Sequence, residues 1–180
     1  MTLDGRPKHA RGYAVRPAEP RDLDRLVALM LALQDHVEEA NPGLWQMSAQ
    51  ARTQLKSQLQ SRLTALNACA LVAEHKDAGV VGAIFGRVTT NSRYVPSQAG
   101  VIDQAFVDEE HRRAGVGSRL VAELCQYFAS QGVKDLSLRY VVGNDEAANF
   151  WDSLEFEPRI LTVGASRTRV EAKLAERLGA

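Results

Sequence analysis

Apolar positions along the chain recur first at helical and then at strand spacing. A short extended piece, Tyr13 to Arg16, stops at Pro17. Leu23, Leu26, Val27, Met30, Leu33 and Val37 then recur at three and four. That spacing predicts one amphipathic helix, opened by Pro20 and Asp22 and closed at Asn41-Pro42-Gly43. A second, more polar helix is predicted over Ser48 to Leu66, with Leu55, Leu59, Leu63 and Leu66 as its stripe. After Asn67 the residues become strand formers. ACALVAE (Ala68 to Glu74) and VVGAIFGRVT (Val80 to Thr89) flank a polar turn and read as a hairpin. VIDQAFV (Val101 to Val107) is the next strand, and the polar stretch Asn91 to Gly100 before it predicts a loop and a cleft wall. Gly117 to Ser130 predicts the strongest helix, with Leu120, Val121, Leu124, Cys125 and Phe128 on its buried face. Leu136 to Val142 follows as a strand, Asp145 to Leu154 as a short helix and Pro158 to Val163 as a last strand. Residues 168–179 form a helix candidate with Val170, Leu174 and Leu178 at spacing four.

An antiparallel meander followed by strand–helix–strand units predicts an α/β fold. Its sheet is mixed, mostly antiparallel and twisted, flanked by helices on both faces. Residues 1–12 read as a flexible tail, and 13–180 as a single domain ending in a helical tail.

Composition narrows the function. Lys plus Arg equals Asp plus Glu, 22 each, so no global basic field exists to bind nucleic acid. The two cysteines lie far apart within apolar runs and read as small buried hydrophobes of a reducing compartment. The four histidines are scattered and no metal-ligand spacing occurs, so no metal is expected. No signal-peptide core or membrane-length apolar run is present, which makes the cytoplasm the expected location.

Candidate chemistry concentrates at VDEEHRRAGVGSRL, residues 107–120. Here a strand runs into two arginines, two glycines at a spacing of two, and a helix. Amides of a first helical turn lack intrahelical partners, and glycine leaves them unobstructed. Such a place suits a pyrophosphate, with Arg112 or Arg113 adding a fork-like contact. The GxxxxGK[ST] phosphate loop and the dinucleotide fingerprint are both absent.

Arg112, Gly115 and Gly117 fill the fixed positions of R/Q-x-x-G-x-G/A. The segment thereby resembles the acetyl-CoA pyrophosphate loop of the GCN5-related N-acetyltransferase (GNAT) superfamily. Asn144, Ala147, Trp151, Leu154 and Phe156 fall where that family has N-x-x-A-x-x-x-Y-x-x-x-G-F. The resemblance spans residues 13 to 163. It implies the acyl-CoA N-acyltransferase fold and a strand Val101 to Val107 splayed from its neighbour to admit the pantetheine arm. It further implies acetyl-CoA held by Phe106, Val107, Glu109, Arg112, Arg113, Ala114, Gly115, Val116, Gly117, Ser118, Asn144 and Trp151. The Val107 amide would polarise the acyl carbonyl. Two departures stand out. Trp151 replaces the tyrosine that can protonate the leaving thiolate, leaving Tyr140 as a substitute. Glu155 replaces a glycine, which bears on a turn.

Acyl transfer to an amine needs the amine neutral, and Asp103 is the candidate for the proton relay. Gln104 is expected to point the opposite way from Asp103. Asp35, Glu38 and Glu39, with Trp45 as an aromatic wall, would suit a cationic amine. The implied activity is direct transfer of acetyl to a primary amine of a small molecule or peptide within a ternary complex. The alternative is a catalytically weak acetyl-CoA-binding protein of the same fold. The family's habit and the apolar stripe of the tail point to a homodimer.

Overall fold

The computed structural model describes residues 12–43, 46–93 and 95–178. Two compact units divide the chain, residues 1–148 and 149–180. The first holds a five-stranded sheet: β1 (Tyr13–Pro17), β2 (Ala68–His75), β3 (Gly79–Thr90), β4 (Gln98–Val107) and β5 (Leu136–Leu138). The strands lie in that order; β1 to β4 pair antiparallel, and β5 joins β4 in parallel. Helices α1 (Leu23–Ala40) and α2 (Ala49–Leu63) cover one face. Leu26, Leu29, Met30, Leu55 and Leu59 pack there with Val72, Ala83 and Phe85. Helix α3 (Val116–Ser130) covers the other face through Leu120, Leu124 and Phe128. Its close approach requires glycine beneath it. A Cβ on Gly86 would lie 2.9 Å from Leu124 and Phe128, and one on Gly100 would lie 2.7 Å from Leu136 Cδ2.

The start of α1 is fastened to β1. Arg16 grips the buried Asp22 at 2.7 and 2.9 Å, and its Nε donates to Glu74 at 2.8 Å. Asp22 also accepts the Glu19 amide at 2.8 Å, closing a capping box on the turn Pro20–Asp22. The paired guanidinium holds the Asp22 carboxyl below the usual carboxylate range.

Four sequence expectations shift. Helix α2 ends at Leu63, and Leu66 lies fully exposed in the turn before β2. Strand β4 begins at Gln98, because Gln98 to Gly100 pair with Thr90 to Val88. Backbone pairing does not depend on apolar side chains, so a polar strand end carries the sequence pattern of a loop. Only Leu136–Leu138 of the expected strand Leu136 to Val142 is a strand, which leaves Tyr140 outside the sheet. The expected strand Pro158 to Val163 is absent, and Ile160, Leu161 and Val163 stand exposed. Apolar character alone cannot satisfy a strand's backbone; a partner edge must do so.

The second unit contains the end of α4 (Asp145–Asp152) and α5 (Arg167–Leu178). Trp151 stacks edge-on with Phe150 and Phe156, at centroid distances of 4.8 and 5.3 Å. Glu155 follows at φ 65°, while the Glu155 and Phe156 amides donate to Asp152 and Trp151. That is a left-handed helix stop normally given to glycine. The apolar stripe of α5, Val170, Leu174 and Leu178, is exposed. The tail expected at residues 1–12 falls almost wholly outside the described residues, as does Trp45.

Candidate active site

Strand β4 changes character along its length. Its outer edge pairs with β5 only from Gly100 to Ile102. Beyond that point no described residue pairs with the edge, so β4 and β5 part, as the resemblance implies. The Asp108 amide donates to Val81, toward β3. Strand alternation therefore turns the Val107 amide and carbonyl toward the open edge. Arg112 Nε donates to that carbonyl at 3.0 Å, and Arg112 Nη1 pairs with Glu146 at 2.8 Å. Its guanidinium also lies 5.3 Å from the centroid of the Phe106 ring. The residue thus ties the end of β4 to the start of α4. Its Nε and Nη1 are taken by protein groups, so of the two arginines expected to contact phosphate Arg113 is the more open.

The loop that follows keeps its amides bare. Arg113 sits at φ 58° and Gly115 at φ 79°, two left-handed residues that bring the chain into α3 with no side-chain cap. Arg119 donates its amide to the Gly115 carbonyl, the first helical bond. The amides of Val116, Gly117 and Ser118 find no acceptor among the described residues. Arg113 and Ser118 are exposed and Ala114 half-buried. A pyrophosphate fits this cradle by charge and by donor geometry: bare amides, a helix N-terminus and the exposed Arg113 cation.

Further contacts hold the loop in place. Tyr13 and His111 share a hydrogen bond of 3.0 Å between Oη and Nδ1. Arg25 donates to the Val80 carbonyl at 2.8 Å and pairs with Asp108. The Glu109 carbonyl accepts the Arg112 amide, so Glu109 belongs to the turn Glu109–His111, with its side chain exposed. Asn144 is buried and caps α4, its Oδ1 accepting the Ala147 amide at 3.0 Å. Its Nδ2 donates to no described residue and is available to a ligand.

On the α1/α2 face of β4 lies a cluster that the sequence did not reveal. Strand β4 carries a bulge at Asp103, since Gln104 faces Phe85 and Ile102 faces Gly86. The bulge breaks the alternation, and Asp103 and Gln104 reach the same group after all. Arg62 donates to Asp103 at 2.8 Å and to Gln104 at 2.6 Å, and lies over Phe85 at 4.8 Å from the ring centroid. Arg87 Nε donates to both Asp103 oxygens at 3.0 and 3.1 Å. Burial pushes the Arg62 guanidinium down, and the neighbouring Arg87 charge adds to that against the pull of Asp103. Arg62 and Arg87 occupy no motif, and no local signal marks them.

Two carboxylates of the acidic cluster of α1 are engaged by this chain's own groups. Asp35 pairs with Arg52 at 3.1 Å. Glu38 accepts the Met47 amide at 2.9 Å and Gln34 at 2.7 Å, and these bonds lower its carboxyl. Glu39 is exposed. Tyr140 is exposed by 41%. Burial pushes the Cys69 and Cys125 thiols up, so neither is set up as a nucleophile.

A mixed sheet opened between β4 and β5, with a bare-amide turn leading from β4 into the helix across it, defines the acyl-CoA N-acyltransferase fold. The pattern of the Acetyltransferase (GNAT) family matches residues 30–156, and the chain belongs to that family. Solved structures agree on the fold. The chain is similar to the BH1408 protein of Bacillus halodurans, in a tetramutant form, with a TM-score of 0.75 and 16% identity, covering 85% of this chain and 99% of that one. It is similar to the aminoglycoside 6'-N-acetyltransferase AAC(6')-IG of Acinetobacter haemolyticus, with a TM-score of 0.67 and 18% identity over 86% and 97%. A ribosomal-protein-alanine N-acetyltransferase of Brucella melitensis biovar Abortus 2308 gives a TM-score of 0.65 and 16% identity over 86% and 99%. No curated protein sequence matches significantly. No helix among the described residues is long and apolar enough to cross a membrane.

Proposed function

We propose that the chain transfers an acetyl group from acetyl-CoA to a primary amine of a small molecule or peptide, by direct attack within a ternary complex. The observation that carries this is the junction of two features: the open β4 edge at Val107 and the bare amides of Val116, Gly117 and Ser118. Acetyl-CoA, when bound, supplies an acetyl group activated as a thioester. The α3 N-terminus and Arg113 hold the pyrophosphate, and Asn144 Nδ2 adds a donor. The Val107 amide is aimed where negative charge grows on the acyl oxygen, which lowers the barrier in a site with preorganised dipoles. Arg112 keeps that strand end in register by holding the Val107 carbonyl.

Asp103 is assigned a positioning role rather than the proton relay, because both its oxygens already accept from guanidinium groups. The amine proton passes to solvent. Tyr140 is the proposed donor to the leaving thiolate, since the residue is exposed and no described residue hydrogen-bonds its hydroxyl, while Trp151 packs with Phe150 and Phe156. The proposal places the protein in the cytoplasm. It extends to a homodimer using the exposed stripe Val170, Leu174 and Leu178 of α5.

The test mixes the protein with acetyl-CoA and a broad amine panel and follows CoA release. Release stimulated by one amine class supports transfer. Acetyl-CoA binding with no turnover across the panel instead identifies a binding protein of the same fold. Replacing Gly117 with a bulky residue should weaken acetyl-CoA binding, and unchanged affinity would remove the pyrophosphate assignment.

A further inference from the structure

Arg25 leaves the first turn of α1 and reaches the end of the open strand edge. The start of that helix is anchored: Arg16 holds Asp22, and Leu26 and Leu29 are sunk in the core. From this base Arg25 Nε donates to the Val80 carbonyl at 2.8 Å, and Arg25 Nη2 pairs with Asp108. One guanidinium thus spans the start of β3 and the residue just beyond β4.

Asp108 directly follows Val107, and its own amide donates to the Val81 carbonyl at 2.8 Å. Phe106, on the other side of Val107, faces Ala83. Alternation points the hydrogen bonds of both neighbours at β3, so the Val107 amide and carbonyl are the groups turned to the open edge. Gly82 lets β3 press close here. A Cβ on it would lie 3.0 Å from the Phe106 carbonyl oxygen and 3.1 Å from Val107 Cγ2. Arg112 Nε fixes the Val107 carbonyl at 3.0 Å. The direction of the amide depends on Asp108 staying on β3, at a strand end whose other edge pairs with no described residue. Strand ends of that kind fray unless something holds them. Among the described contacts, Arg25 is the side chain that holds Asp108.

We propose that Arg25 is a positioning residue for acetyl transfer: clamped on Val80 and Asp108, it keeps the Val107 amide aimed at the acyl oxygen of the donor. The inference rests on the proposed acetyl transfer. Arg25 acts through Asp108 and the backbone, not by touching the donor. A donor group stabilises developing charge only if it is aimed beforehand, because reorienting it during reaction consumes the gain. The Arg25 and Asp108 side chains are 41% and 27% exposed, so their ion pair adds little to stability. Its loss is therefore read at the acyl carbonyl without unfolding the chain.

Acetyl-CoA labelled with carbon-13 at the acetyl carbonyl reads this aim by NMR, without turnover or a known acceptor. On binding to the wild-type chain the carbonyl carbon should move downfield, since a hydrogen bond draws electron density toward its oxygen. Arg25→Gln and Asp108→Asn should each lose most of that displacement, and Arg25→Lys should keep part of it. Free CoA, which lacks the acyl group, should bind the wild type and all three variants with dissociation constants within about twofold. Thermal melts confirm that the variants fold. A displacement unchanged in Arg25→Gln and Asp108→Asn would overturn the inference. A parallel loss of CoA affinity would also overturn it, by marking Arg25 as a brace of the whole loop. Wild-type binding with no displacement would overturn it while leaving the pyrophosphate cradle standing. No binding of acetyl-CoA to the wild type would sink acetyl transfer itself, and this inference with it.

Discussion

Arg112 donates through Nε to the Val107 carbonyl at 3.0 Å and spends Nη1 on Glu146, while its neighbour Arg113 stands exposed beside the bare amides of α3. Two consecutive arginines therefore have separate tasks. Arg113→Ala should weaken acetyl-CoA binding by about tenfold and change stability by less than about 0.5 kcal/mol. Arg112→Ala should lower stability by about 1–2 kcal/mol as well as weakening binding. Calorimetry and urea unfolding separate the two, and equal stability losses would contradict the division.

Gly100 faces Phe128 and Leu136 from within β4, and a Cβ there would sit 2.7 Å from Leu136 Cδ2 and 3.0 Å from Phe128. Gly100→Ala should cost about 1–3 kcal/mol through overpacking. Gly164→Ala, where nothing lies within 4 Å, should stay within about 0.5 kcal/mol. Thermal melts of the two variants check the contrast.

Asp22 carries a pH signature. Its carboxyl is lowered in the folded protein, chiefly by Arg16. The unfolded chain then binds this proton more readily than the folded one. The stabilisation is complete above the unfolded value of about 4 and is lost as pH falls from there through the lowered folded value. Asp22→Asn should cost about 2–3 kcal/mol at neutral pH, since it strands a partly buried Arg16 that keeps Glu74. Unfolding curves at neutral and acid pH should show the deficit shrinking below about pH 4. A deficit independent of pH would exclude the ion pair as its source.

Glu155 occupies a left-handed helix stop at φ 65° with its side chain exposed. Glu155→Gly should remove that strain and raise stability by about 1 kcal/mol, visible as a higher melting temperature. A lower melting temperature would mean that the side chain makes a stabilising contact.

Much of the fold was legible in local pattern. The helices beginning at Leu23 and Val116 announce themselves by spacing and by their stop residues. The turn at Gly115 is legible because its conformation suits glycine. The last expected strand failed for the converse reason: Ile160, Leu161 and Val163 have strand character, but a strand exists only where a neighbour accepts its hydrogen bonds.

The chain by itself determined the proposed donor half of the site. Its elements, Arg112, Gly115 and Gly117, lie close together in sequence, and their conformation follows from local sterics and unpaired helix amides. Tertiary structure decided which charges are free. The bulge at Asp103 put Gln104 on the same arginine, and packing brought Arg62 of α2 and Arg87 of β3 onto one carboxylate. Electrostatics acts through space, so a carboxylate that looks like a base in sequence becomes a fastening between two cations once distant segments meet.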